Sequence, residues 1–127
     1  MFSHVTVGAD DLEKSKTFYD AVLGSLGYGP AVAMMEDRYF YASDKGSFAI
    51  IRPIDGNAAT CANGGTIGFA CDSTEKVDSW HAAGVANGGT SIENPPGVRE
   101  SRFGNSYLAY LRDPYGNKLC AVHQLKA

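Results

Sequence analysis

Residues 107–122, YLAYLRDPYGNKLCAV, decide how this chain folds. The run reads as a strand, a tight turn and a second strand. Asp113-Pro114-Tyr115-Gly116 has the chemistry of a type I turn: Asp accepts at the first position, Pro presets φ at the second and Gly closes the fourth. After the turn, the two-residue period of a strand places Lys118, Cys120 and Val122 on one face and Leu119, Ala121 and His123 on the other.

Working outward, a loop from Asn94 to Asn105 precedes this hairpin and carries Pro95, Pro96, Arg99 and Arg102. Before the loop, Thr90 to Glu93 is extended. Further upstream, Thr66 to Ala70 (TIGFA) is a strand. Asp72 followed by Glu75 has the form of a capping box, and Val77, Trp80, His81 and Val85 line a helix that stops at Gly88-Gly89. The same order occupies the first 53 residues. Phe2 to Val7 alternates as a short strand. Asp10 and Glu13 form the capping pair, and Leu12, Phe18, Tyr19, Val22, Leu23 and Leu26 recur at helical spacing, which predicts a helix from Leu12 to Leu23 stopped near Gly24 and Gly27. Three extended stretches follow: Ala31 to Met35, Arg38 to Ala42, and Ser47 to Pro53.

Residues 54–65, IDGNAATCANGG, are small, polar and glycine-rich and read as a linker. A displacement of 62 residues across that linker pairs His4 with Thr66, Asp10 with Asp72, Glu13 with Glu75, Phe18 with Trp80 and Gly27 with Gly89. This is an internal duplication matched at caps, core and stops. A displacement of 70 sets Gly46 on Gly116 and Ile50 on Cys120. The expected fold is α+β: two tandem βαβββ modules, 1–53 and 66–127, forming a curved mixed sheet with the helices on its outer face. Alternation assigns Val5, Val7, Ala49, Ile51, Ile67, Phe69, Leu119 and Ala121 to the helix side. It leaves His4, Phe48, Ile50, Arg52, Thr66, Lys118 and Cys120 facing a cup where a small ligand would sit.

The 127 residues suit a single domain, with 44% hydrophobic and 20% charged residues and a formal net charge of −3. Such a balance offers no basic field to nucleic acid. No apolar run approaches the roughly 18 residues of a membrane span, so a cytoplasmic protein is expected. Cys61, Cys71 and Cys120 show no zinc-type spacing, and an odd count argues against a disulfide framework.

The paired modules, the opening SHVTVGADDLEKSKTFYDAVLGSLGY, the second-module TIGFACDSTEKVDSWHAAGVANGG and the closing hairpin resemble the vicinal oxygen chelate superfamily. That superfamily includes glyoxalase I, bleomycin-binding proteins, fosfomycin-resistance enzymes and extradiol dioxygenases. The resemblance covers nearly the whole chain. It implies four metal positions, which fall on His4, Ile50, Thr66 and Cys120, and a divalent metal acting as a Lewis acid toward substrate oxygens. Of these, His4 keeps the usual ligand type. Ile50 cannot bind a metal, Thr66 is a poor ligand, and Cys120 stands where the enzymes carry a carboxylate. The two-His, one-carboxylate set of an extradiol dioxygenase is missing from these positions.

The resemblance further implies a homodimer with a small-molecule ligand or substrate. Two functions follow: a glyoxalase-like lyase or isomerase with a degenerate metal site, or a metal-free protein that sequesters a small molecule. In the first, His4 and Cys120 are the catalytic candidates, with His4 as ligand or base and Cys120 as soft ligand or nucleophile. The plainer readings are a structural histidine and a small buried hydrophobe. Thr66, Arg52, Phe48 and Tyr107 are candidate ligand contacts. Arg52, Arg99 and Arg102 would suit a carboxylate or phosphonate, although single arginines more often pair at the surface. Tyr39, Tyr41 and Tyr110 are further candidates for the cavity wall, with core packing as the alternative. His81 and His123 read as structural or surface residues.

Overall fold

The computed structural model describes residues 1–125. Residues 126 and 127 of the second module lie outside the described residues. Two βαβββ modules are present, in the order β1 (His4–Gly8), α1 (Leu12–Gly24), β2 (Val32–Met35), β3 (Arg38–Ser43), β4 (Gly46–Ile51), then β5 (Ile67–Ala70), α2 (Thr74–Ala86), β6 (Thr90–Ser101), β7 (Gly104–Arg112) and β8 (Lys118–Gln124). Each module forms a four-stranded mixed sheet, ordered β1-β4-β3-β2 and β5-β8-β7-β6 among the described residues. In both, the first strand pairs parallel with the last and the other pairings are antiparallel. The duplication seen in the sequence is a duplication of topology.

α1 starts at Leu12 as expected, but both capping residues lie one position after the expected ones. Asp11, in extended conformation, accepts from the backbone N–H groups of Glu13 and Lys14 at 3.1 and 3.2 Å. Asp10 instead accepts from Ala59 N at 2.8 Å and ties down the linker. In the second module Ser73, not Asp72, accepts from Lys76 N. Leu12, Ser15, Phe18, Tyr19, Val22 and Leu23 form the buried stripe of α1, and Val77, Trp80 and Gly84 that of α2. Gly84 lets the elements close in: a Cβ there would lie 2.3 Å from Leu111 Cδ1 and 3.1 Å from Val22 Cγ1.

The strand register corrects one reading of the sequence. Val5 stands beside Phe48 and Val7 beside Ile50 in the parallel β1–β4 pair, so all four share the helix side. Ile50 is fully buried, and the Phe48 ring lies 4.8 Å from Tyr19 and 5.7 Å from Phe69. Phe48 and Ile50 therefore belong to the core and not to the cup floor. Residues 48–51 are all apolar, so alternation on this strand carries no parity signal; packing against the α1 aromatics sets it.

The expected loop from Asn94 to Asn105 is also strand. β6 runs to Ser101, pairs with β7, and takes up Pro95-Pro96 where the register slips between Ile92 and Gly97. An edge strand and a bulge are the places where proline costs no ladder hydrogen bond. Glu93, beside the slip, has φ 59.

The modules are joined by helix packing and by side chains reaching across. Phe48 meets Phe69, Tyr115 Oη accepts from Asp11 N at 2.7 Å, and Asn117 Nδ2 donates to Gly8 O at 3.4 Å. Among the described residues no helix is long and apolar enough to cross a membrane.

Candidate functional site

On the face away from the helices, β1 and β4 present His4 beside Ser47 and Thr6 beside Ala49. The second sheet presents Gly68 beside Cys120, with Tyr110 across from Cys120 and Arg112 across from Lys118. The counterpart of Cys120 in the first module is thus Ala49, one residue before the Ile50 expected from the displacement of 70. The change of residue leaves the chemistry the same, because a methyl group donates nothing to a metal.

His4 is exposed, with Nδ1 2.7 Å from Ser3 Oγ. Cys120 is 7% exposed, and its thiol is pushed up to about 11, first by burial and then by the neighbouring Cys71 thiol. A thiol held protonated is a poor nucleophile at neutral pH. Among the described residues no three His, Cys, Asp or Glu side chains come together as a metal site. One imidazole, one hydroxyl and one thiol, with a methyl group at the fourth position, do not fit the divalent metal that the paired-module fold implies.

The candidates disperse over several places. His4 and Phe48 line a cavity of about 170 Å³ between the edges of β1 and β5, beside the end of α1. Its wall is largely apolar and includes the rings of Phe2, Tyr28, Tyr41, Phe48 and Phe69, with Lys45 among its polar members. Tyr41 is held there by donating to Asp20 Oδ1 at 2.7 Å. Thr66 and Lys118 line a separate polar cavity. Arg52 does not enter the cup: it donates to the carbonyls of Asp10 and Glu36 at 3.4 Å, beside the start of α1. Tyr107 lies on the helix side and donates to Asp78 Oδ1 at 2.7 Å, so it cannot line the cup either. Tyr39 is on the helix side too, donating to Glu13, whereas Tyr110 does face the cup. Arg99 is absorbed by the carbonyls of Asn94 and Pro95, and Arg102 lies over the Phe103 ring.

Sequence reasoning missed Tyr28, beyond the helix stop, and Arg112. For Arg112 a signal existed, because a hairpin closed at Asp113 to Gly116 places it opposite Lys118.

Paired βαβββ modules with the helices on one face and a cup on the other define the class of fold. The family model of the Glyoxalase/Bleomycin resistance protein/Dioxygenase superfamily matches residues 1–121, and the chain belongs to that family. A crystal structure of a glyoxalase/bleomycin resistance protein from Albidiferax ferrireducens T118 is 60% identical, with a TM-score of 0.95 over 98% of this chain and 99% of that one. A family enzyme from Burkholderia phytofirmans PsJN, at 19% identity and TM-score 0.73, covers 97% of this chain and 98% of its own. Lactoylglutathione lyase from Agrobacterium tumefaciens, at 20% identity and TM-score 0.67, covers 97% of this chain and 92% of its own. The last two share the fold. No curated relative matches the sequence.

Proposed function

We propose that this protein binds a small, mostly apolar organic molecule without a metal, in the cavity between β1 and β5. The observation that carries the reading is the mostly apolar lining of that cavity, with five aromatic rings in it and the exposed His4 imidazole as a polar contact. Drug-sized ligands occupy pockets of about 300–1,000 Å³. A volume of about 170 Å³ suits a single ring. Burial of such a ring against Phe69, Phe48 and Tyr28 supplies affinity through apolar area, and His4 supplies orientation through one hydrogen bond.

The chain carries its own reporter. Trp80 is the one tryptophan in the sequence, and its ring lies 6.4 Å from Phe69. Titration with phenol, cresol and toluene is expected to change Trp80 fluorescence saturably. Gly68 lines the cavity, and a Cβ there would meet nothing within 4 Å, so Gly68→Leu adds bulk at the cavity wall without a clash at its first atom. That variant should weaken binding at least tenfold. No saturable change with any ring, or equal binding by Gly68→Leu, would overturn the reading.

A further inference from the structure

We propose that a second cavity, of about 390 Å³ at the rim of the second sheet, binds the oxyanion of a small organic acid through Arg112, Lys118 and Thr66. The site is separate from the aromatic cavity and does not depend on it.

Arg112 and Lys118 stand directly opposite on antiparallel neighbours. Like charges in that relation repel. Lys118 Nζ has a countercharge, Glu93 Oε2 at 2.5 Å, and lies 4.7 Å from the centre of the Tyr110 ring. Arg112 has no carboxylate partner among the described residues; its Nη1 donates to Gly116 O at 2.7 Å, and the rest of the guanidinium fork is uncommitted. Of the two facing cations, Lys118 alone is matched by a carboxylate, and the Arg112 charge is left uncompensated among the described residues. An added anion would relieve that repulsion.

The other walls are neutral and small. Thr66, two residues before cup-facing Gly68, adds a hydroxyl, and Asn63 adds an amide. Among the described residues, no Asp or Glu lines the cavity. The turn from Ala62 to Gly65 closes with Gly65 N donating to Ala62 O at 3.0 Å, and Gly64 takes φ +91 to make it. Across the cavity Gly116 has φ +87, and a Cβ there would stand 3.5 Å from Cys61 Sγ. Small residues keep the space open where larger ones would fill it. The volume exceeds what a bare ion needs. A planar guanidinium with free parallel N–H groups recognises carboxylate or phosphonate oxygens in pairs.

The test is an amide NMR titration of the full chain with benzoate, phenylphosphonate, inorganic phosphate and neutral benzamide. Benzoate or phenylphosphonate is expected to shift residues 61–66 and 112–118 saturably, and whichever saturates names the source of the oxyanion. Benzamide should not do so. Arg112→Gln should weaken binding at least fivefold. Thr66→Val, which keeps the side-chain shape and leaves the Gly116 contact intact, should weaken it by a smaller factor. Equal titration by benzamide, saturation by inorganic phosphate alone, affinity unchanged in both variants, or no saturation in any arm would each overturn the proposal.

Discussion

The phenol of Tyr19, in the middle of α1, donates a 2.5 Å hydrogen bond to Oδ2 of Asp113, the residue that opens the β7–β8 turn. Tyr19 is fully buried and Asp113 is 4% exposed. The same carboxylate accepts from Tyr115 N at 2.8 Å, Asn117 N at 3.0 Å and Asn117 Nδ2 at 2.8 Å. A turn residue of the second module is thus also the anchor for the helix of the first. Asn117 completes the link by donating to Gly8 O at the end of β1.

Tyr19→Phe should cost about 1–3 kcal/mol, because it removes one donor from a buried carboxylate while keeping the ring. Asp113→Ala should cost more, since it strands the phenol, the Asn117 amide and two backbone N–H groups. Urea denaturation measures both. A Tyr19→Phe midpoint equal to wild type would mean that this hydrogen bond adds nothing to the join between the modules.

Stability should fall at alkaline pH. The Tyr19 phenol is pushed well above its ordinary range, first by burial and then by the Asp113 charge; Tyr41 is raised in the same direction by burial and by its bond to Asp20. A group whose folded pKa is raised contributes stability that is complete below the unfolded pKa, about 10 for tyrosine, and is lost as pH rises through the folded value. Melting temperature followed from pH 8 to 11 should therefore decline above about pH 10. The double variant Tyr19→Phe, Tyr41→Phe should show a flatter profile, and an equally steep one would assign the decline to other groups.

Most of the fold was legible because caps, stripes and glycine stops recur at a fixed displacement, and each has a local cause that survives in sequence. The parity of β4 was not, since Phe48, Ala49, Ile50 and Ile51 are apolar on both faces and only the position of the Tyr19 ring decides which side is buried. β6 was hidden by Pro95-Pro96, which reads as a loop until the bulge that absorbs it is seen. The site was less legible than the fold. Cavity walls such as Tyr28 and Phe69 come from the meeting of two modules, and no single-strand period encodes that meeting. Arg112 and the 61–65 turn were passed over for a similar reason, because a glycine-rich linker becomes a wall only when β7 and β8 fold against it.

The three thiols should separate by reactivity. Cys61 is exposed, Cys71 is half-buried with its pKa raised chiefly by burial, and Cys120 is buried with a thiol near 11. Since the thiolate is the reacting form, alkylation with iodoacetamide at pH 7.5 should show one fast site that disappears in Cys61→Ser. Cys120 should react more slowly than a free model thiol, and the raised pKa places its gain in reactivity above pH 10. Rapid modification of Cys120 at neutral pH would restore it as a nucleophile.

Metal titration bears directly on the donor set. A stable zinc site needs three protein ligands in one place, and His4 and Thr66 line separate cavities, neither of which Cys120 lines. The first-module counterpart of Cys120 is the methyl group of Ala49, the Glu93 carboxylate is taken by Lys118, and among the described residues no three His, Cys, Asp or Glu side chains come together. Calorimetric titration with Zn²⁺, Ni²⁺ and Mn²⁺ is expected to show no stoichiometric site that His4→Ala abolishes. One equivalent bound at submicromolar Kd in wild type and lost in His4→Ala would contradict the metal-free reading. It would also require a ligand from outside the set that the two cup faces present.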